Sequence, residues 1–434
     1  FASSFVIEFA ACPNLSETHV SVATADRIPL SEVRKNLRIR WYRSPIEREE
    51  VQRLVQRSDL RGAFQAVGHI GLWLCTGTLT FIAAHNGNWP LALLGLFLHG
   101  TVGTFMRGVA CHELGHGTVF KTKWLNKFFL RLYAICSLWN FHDYSMSHSF
   151  HHLYTLHPPV DPEIILPRRP SLHILYVLQL FTVNIFGGEE SNGFIPTVRK
   201  IVMTCFGRYE EEWLSELYEE HPTAKARAVR WMRLVLLIHV IVAVAAIVSG
   251  YWMIAVLFSC HIFIGNWLKY FVGFPMHCGL RDNVPDFRLC VRTIRLNPIS
   301  EFLYWHMNWH TEHHMFAAVP CYNLSELHGI VKDDMPVPRS LVGAWREMRD
   351  IWLRQQNDPD YQFTTPLPPS ANAAVTTESD ELARADAVVA SIGDLAPDEL
   401  KSDSSRRSLD EVIKRHHRDG PAKVKIDQLT EQID

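Results

Sequence analysis

The chain has 434 residues, of which 47% are hydrophobic and 20% charged, with a formal net charge of -2. That balance gives no electrostatic footprint for nucleic acid or an acidic partner. Nine singly scattered cysteines without a CxxC pair exclude a disulfide framework, a zinc ribbon and a rubredoxin-type appendage, and suit a reduced, cytoplasm-facing protein.

Residues 1–12 are fairly apolar but have no basic leading segment, so they do not read as a signal peptide. Residues 34–61 carry nine Lys or Arg interleaved with acids, and the apolar spacing around Val51, Leu54 and Val55 predicts a polar helix ahead of a membrane. Residues 66–84 and 91–111 are two apolar runs of bilayer-spanning length, separated by the turn His85-Asn86-Gly87-Asn88-Trp89-Pro90. Together they predict a membrane hairpin over 64–111. Gly95, Gly100, Gly103 and Gly108 punctuate its second arm, where small residues let helices approach closely.

Residues 112–229 follow as a cytosolic region, with 171–186 expected to lie at the interface or re-enter the membrane. A second hairpin is expected over 230–271, its arms at 234–249 and 251–271 joined at Gly250. Residues 272–355 form another cytosolic region. From 356 to 434 the chain turns polar, with Pro366, Pro368 and Pro369 near its start, and reads as disordered apart from a short helix at 409–416. His416-His417 in that tail is a solvated pair. Basic residues flank the spans on one side only, so both termini and the intervening regions face the cytosol. The fold class is thus an all-α integral membrane protein, with two transmembrane hairpins under a cytosolic helical cap.

Three histidine clusters lie in that cap: His112 and His116; His148, His151 and His152; and His310, His313 and His314. On a helix, positions i, i+3 and i+4 share a face, so each cluster presents its imidazoles toward one point. A lone buried histidine is usually a satisfied core residue, but eight in short boxes form a metal-binding pattern. Imidazole suits iron, copper, zinc and nickel, and eight exceed what one ion can use, so two metals are expected. The literal His112-Glu113-Leu114-Gly115-His116 string also fits a zinc protease, with Glu113 activating water. That reading leaves the other two boxes unexplained. A metal transporter is disfavoured because its histidines would line the spans.

Boxes of the form HxxxH, HxxHH and HxxHH, placed around two hairpins, resemble the membrane fatty acid desaturase and hydroxylase superfamily. Asn308-Trp309-His310-Thr311-Glu312-His313-His314-Met315-Phe316 is similar to its third-box neighbourhood, and Asp161-Pro162-Glu163 to the acidic turn after its second box. The resemblance covers residues 61–328. It implies two non-haem irons held by the eight boxed histidines, with His277 in Phe274-Pro275-Met276-His277-Cys278 as a further ligand. It also implies desaturation of a lipid acyl chain with O2 and two electrons, or hydroxylation of a lipid by a related monooxygenase. Glu113, Asp143, Asp161 and Glu312, with Asn308, are the expected partners of ligand N–H groups. His142, His157 and His306, which flank the boxes, are expected to stand behind the ligands or to be structural, and His239 and His261 to hydrogen-bond between spans. With no haem, flavin or nicotinamide motif in the chain, electrons are expected from a separate ferredoxin or cytochrome with its reductase.

Overall fold

The computed structural model describes residues 39–158, 160–164, 166, 168–170, 172–188 and 193–376. The expectations for 1–38 and for 377–434, the 409–416 helix and His416-His417 among them, lie outside the described residues.

After a short helix α1 (Arg48–Leu54), the first apolar run folds as α2 (Asp59–His85), where the Ser58 hydroxyl caps the helix by accepting from the Arg61 N–H. Residues 86–88 turn the chain, and Asn88 caps α3 (Trp89–Gly103) by accepting from the Leu91 N–H, with Pro90 in the first turn, where its missing N–H costs nothing. α3 then kinks through a π turn (Met106–Ala110) into α4 (Cys111–Gly115). The kink has a local cause: Arg107 is extended (ψ 122) and Gly108 has φ +70, a left-handed value that glycine adopts without strain.

The cap begins with α5 (Lys123–Cys136) and α6 (Phe141–Tyr154). Three shorter helices follow, α7 (Ile174–Phe181), α8 (Phe194–Cys205) and α9 (Glu212–Glu220). The eight residues of α7 are too few to cross a bilayer, and Ile174, Leu175 and Leu178 on it are exposed. α10 (Pro222–Val248) then carries the next apolar run. Among the described residues, three helices are long and apolar enough to cross a membrane: Asp59–His85, Trp89–Gly115 and Pro222–Val248. Leu74, Leu79, Leu237, Ile241, Val244 and Ile247 stand exposed on them, as expected of helices whose solvent is lipid.

In place of a fourth continuous span, residues 251–271 are segmented. α11 (Trp252–Ala255) passes into a π turn (Val256–Cys260) and a 3-10 turn (His261–Phe263). Ile264 is extended and pairs antiparallel with Val183, Gly265 has φ +63, and only then does α12 (Trp267–Gly273) begin. Close approach supplies the reason. A Cβ on Gly100 would collide with the Ile264 carbonyl, so the broken segment lies directly on α3. His239 bridges Ser259 and the Ile135 carbonyl as expected, whereas His261 departs from the expectation: its Nδ1 meets the Leu257 and Phe258 carbonyls of its own segment rather than a neighbouring span.

The third part of the cap contains α13 (Phe287–Cys290), α14 (Pro298–Leu303), α15 (His310–Met315), α16 (Leu324–Val331) and α17 (Leu341–Gln355). A two-residue parallel pair, β1 (Ile294–Arg295) with β2 (Arg339–Ser340), ties α17 to the segment before α15.

The expected start of the disordered tail at 356 is corrected as far as residue 376. The Phe363 N–H donates to the Gly279 carbonyl, the Val375 N–H to Asp286, and the Asn372 N–H to Asp334. These two aspartates flank the fully buried Arg288, which pairs with Asp286 at 2.7 Å and Asp334 at 2.9 Å and also donates to the Asn372 and Ala373 carbonyls. Polar composition hid this attachment, because the partners lie some 40 to 90 positions away. Replacing Arg288 with Met is expected to cost about 3–5 kcal/mol, because it strands buried carboxylates without their counter-charge. The thermal unfolding midpoint of the purified protein in detergent measures this, and an unchanged midpoint contradicts it.

Candidate metal centre

Four elements position nine imidazoles. α4 supplies His112 and its C-terminal neighbour His116, α6 supplies His148, His151 and His152, and α15 supplies His310, His313 and His314. The short 3-10 turn Phe274–Met276 delivers His277. The kink at Arg107 and Gly108 redirects α4 relative to α3, so its two histidines enter the cap.

The nine rings fall into two groups, each close enough to hold a metal ion. The first is His112, His116, His148, His152 and His313; the second is His151, His277, His310 and His314. In each, one nitrogen per residue lies within 4.8 Å of the others. His116 and His152 are half-buried and the other seven buried.

This corrects the expectation that a box points at one site. In α6, His148 and His152 go to the first group and His151 to the second, while in α15, His310 and His314 go to the second and His313 to the first. The helical repeat explains the split: consecutive residues are turned by about 100°, so i and i+4 nearly eclipse while i+3 projects to the other side. Each HxxHH box thus straddles both groups and holds them side by side, with the His152 and His314 rings stacked at 4.4 Å.

Within the groups, Nε2 faces Nε2. The separations are 3.4 Å for His112 and His116, 3.2 Å for His116 and His148, and 3.2 Å for His152 and His313. In the second group they are 3.0 Å for His277 and His310 and 3.2 Å for His310 and His314. Two nitrogens each about 2.1 Å from a shared ion stand about 3.0–3.4 Å apart for angles between octahedral and tetrahedral. The donor set fits divalent transition metals on that count.

The outward nitrogens fix the tautomers. His148 Nδ1 donates to Glu163 at 3.2 Å, and His151 Nδ1 to Asp161 at 2.9 Å. His112 Nδ1 donates to Glu113 at 2.9 Å, and His277 Nδ1 to the Cys290 carbonyl at 3.2 Å. His314 Nδ1 meets the Thr155 hydroxyl at 3.2 Å. Carbonyls and ionised carboxylates only accept, and the Thr155 hydroxyl spends its proton on the His151 carbonyl, so these rings carry their proton on Nδ1 and turn a bare Nε2 lone pair inward. Lone pairs crowded at 3.0–3.4 Å repel unless a cation lies among them.

Electrostatics favours the neutral, ligating form. Burial pushes His116 down to about 4 and His310 down to about 3. Burial, then the charges of neighbouring imidazoles, holds His148, His152, His277, His313 and His314 well below the ordinary histidine value. For His151, burial lowers and the Asp161 carboxylate raises, and the net is upward.

The other expected partners divide. Glu113 bonds His112 and lies 3.6 Å from His313 Nδ1, and Asp161 bonds His151. Glu312 instead accepts from His328 at 2.5 Å and from the Thr293 hydroxyl at 2.6 Å, anchoring α15 to α16 and to the end of β1. Asn308 exchanges hydrogen bonds with the Ile294 backbone and touches no boxed ring. Asp143 also misses the rings and accepts from the Tyr218 hydroxyl at 2.5 Å. Glu163, Thr155 and the Cys290 carbonyl were not anticipated as partners. Glu163 had a signal, its place in the acidic Asp161-Pro162-Glu163 turn. His157 and His306 stay outside both groups, bonded to the Thr155 carbonyl and Glu301, and His142 packs against Phe141 and Trp231.

Burial raises Asp143 to about 7, the Tyr218 hydrogen bond only partly opposing it. Because this carboxyl holds its proton more tightly when folded, its contribution to stability is full below about pH 4, declines as pH rises, and is lost above about pH 7. Asp143→Asn is therefore expected to remove a loss of roughly 2–4 kcal/mol between pH 4 and 7. Parallel pH series of thermal midpoints for the two proteins test this; identical slopes refute it.

Helices of membrane-spanning length, joined to short helices that hold two adjacent clusters of inward-turned imidazoles, define a histidine-box protein on a membrane scaffold. The model of the family described as fatty acid desaturase matches residues 87–342, more than half of the chain, and takes in all nine histidines. The chain belongs to the fatty acid desaturase family and is an enzyme of that family. No curated protein matches it.

Proposed function

We propose that the protein introduces a double bond into the acyl chain of a lipid, using O2 and two electrons at a pair of non-haem irons. The observation that carries this reading is the division of nine imidazoles into adjacent groups of five and four, with Nε2 turned inward. Two irons held there would supply the O2 activation needed to remove hydrogen from an unactivated methylene.

The chain's own part is to hold and orient. Asp161, Glu163, Glu113 and the Cys290 carbonyl lock His151, His148, His112 and His277 in the ligating tautomer. Burial keeps bulk water from the seven enclosed rings. The apolar helices would place the site at the edge of a bilayer. The basic segments 121–131, 225–233 and 281–295 support a cytosolic face for it, where a separate ferredoxin or cytochrome could deliver electrons. The protease reading is disfavoured by Glu113, whose carboxylate lies behind His112 and His313 on their Nδ1 side, away from where a metal-bound water would need a base.

Expression in a host with a simple lipid profile tests the proposal. The intact chain is expected to yield a new unsaturated lipid and purify with two irons, and His313→Ala to yield neither. A hydroxylated product would replace desaturation with hydroxylation, and a single zinc with no O2 consumption would overturn the reading.

A further inference from the structure

Residues 114–142 contain no Asp or Glu, and their Lys and Arg, at Lys121, Lys123, Lys127 and Arg131, fall on α5 or just before it. Asn126, Leu130, Tyr133 and Ala134 form the buried face of this helix. On the opposite side Trp124 is 63% and Phe128 50% exposed, one turn apart, with their rings edge to face at 6.2 Å. Phe128 packs edge-on to the half-buried Phe129, which stacks on Phe120, so a row of rings holds the exposed pair in place. Lys127 follows Trp124, and Arg131 follows Phe128, by three residues, which sets each base beside a ring on the helix surface. Among the described residues, Lys123, Lys127 and Arg131 pair with no carboxylate.

Contacts at the two ends of α5 fix its level against the apolar spans. At its start the Thr122 N–H and hydroxyl donate to Asp59, the first residue of α2, at 2.8 and 2.7 Å. Near its end the Tyr133 hydroxyl donates to the Ala66 carbonyl, further along α2, and the Ile135 carbonyl accepts from His239 inside the apolar run of α10. From Asp59 to Ala66 is about 10 Å of helix, so α5 slants from the mouth of the bundle toward the interior of the spans. Trp124 and Phe128, on its first two turns, therefore stand outward at the level where α2 begins. In a bilayer that level is the headgroup zone, where Trp partitions and where Lys and Arg reach lipid phosphates while their stems stay against apolar groups. A face turned to bulk water gains nothing from an exposed Trp and Phe, whereas bases beside aromatic rings at a bilayer edge suit anionic lipid.

We propose that the outer face of α5 is a docking surface for anionic phospholipids of the leaflet on the side of the metal centre. The two rings enter the upper acyl region, and Lys123, Lys127 and Arg131 hold the headgroup phosphates. The surface is tied to the first histidine group, because Asn126 pins the loop after His116 to α5 by accepting from the Phe120 N–H and donating to the Phe120 carbonyl, each at 3.0 Å. The inference needs the apolar helices to lie in a bilayer but not the desaturation reaction, and its readouts involve no turnover.

Fluorescence quenching tests it on the full chain, purified with its metals and reconstituted in phosphatidylcholine vesicles containing about 20% phosphatidylglycerol. Bromine is placed high in the acyl chains of one lipid or the other, and the contribution of Trp124 is the difference between the unaltered protein and Trp124→Phe. Per bromine, phosphatidylglycerol is expected to quench that contribution about twofold or more over phosphatidylcholine, which marks the anionic lipid as enriched around α5. Replacing Lys123, Lys127 and Arg131 together with Gln is expected to remove the excess and leave metal content unchanged, and salt at about 0.5 M to reduce it. Equal quenching by the two lipids overturns the proposal, as does an excess that survives the Gln substitutions or the salt. Quenching by neither lipid puts this face outside the bilayer, and loss of the excess on adding an acidic ferredoxin makes it a protein-docking face; either result refutes the proposal. Product formation is scored separately, so a protein that desaturates nothing yet shows the excess refutes the reaction and not this surface.

Discussion

Replacing His277 with Ala is expected to abolish product formation and to leave the purified protein with one iron, whereas His157→Ala keeps both irons and makes product. Among the described residues His277 is the one member of either group outside the boxes, and it joins the smaller one. Its Nε2 stands 3.0 Å from that of His310, and its ring lies 4.9 Å from His151 and 5.2 Å from His314. Removing it takes one of four nitrogens from a buried site, and an alanine methyl offers no donor in return. Loss of a partner behind a ligand lowers metal affinity about 10–100-fold, and loss of the ligand itself is expected to exceed that. His157 is the control because it is buried nearby with Nδ1 on the Thr155 carbonyl and its ring edge-on to Trp41, yet lies outside both groups. Metal analysis after gel filtration and lipid profiling of the expression host give the two readouts. Two retained irons and normal product for His277→Ala would remove this residue from the site.

The boxes were legible because their chemistry is written in local spacing. A helix converts i, i+3 and i+4 into neighbouring rings, so eight of the nine histidines announce themselves without tertiary information. Their division between two groups was equally implicit in the 100° step, but recognising it requires a second helix to face each side. His277 has no such local signature, since a 3-10 turn delivers it singly and only its partners, more than thirty residues away, give it meaning. The carboxylates mark the same limit. Asp143 sits five residues before His148 on α6, about 140° around the helix, and so turns to Tyr218 on α9, while Glu163 returns from the following loop to the correct side. The first hairpin was legible from its apolar runs and its Asn-Gly-Asn turn. The broken segment at 251–271 was not, because an apolar run has the same composition whether its backbone is continuous or split at Ile264 and Gly265 by pairing with Val183.

Asp161→Asn, which removes no volume, is expected to lower turnover by about 10²–10⁴-fold and iron affinity in the second group by about 10–100-fold. The carboxylate serves three donors at once. Its Oδ2 accepts from His151 Nδ1 at 2.9 Å and from the Leu156 N–H at 2.9 Å, and its Oδ1 accepts from the Glu163 N–H at 3.0 Å. An amide has only one accepting oxygen. If that oxygen keeps His151 and Leu156, the NH2 group confronts the Glu163 N–H and displaces the turn that carries Glu163 to His148. If it turns the other way, the NH2 group meets His151, whose Nδ1 must then accept, so the ring's proton moves to Nε2 and its inward lone pair is lost. Either orientation damages a ligand, by position in one case and by tautomer in the other. Leu156 makes relaxation harder, because it is held at φ +52, a left-handed value that a branched side chain rarely adopts. Asp143→Asn, the same chemical change on α6 itself, is the matched comparison: its carboxylate meets Tyr218 and no boxed ring, and its variant is expected to keep both irons. Equal metal content and equal turnover in the two variants would mean that the carboxylate behind His151 does not set its tautomer.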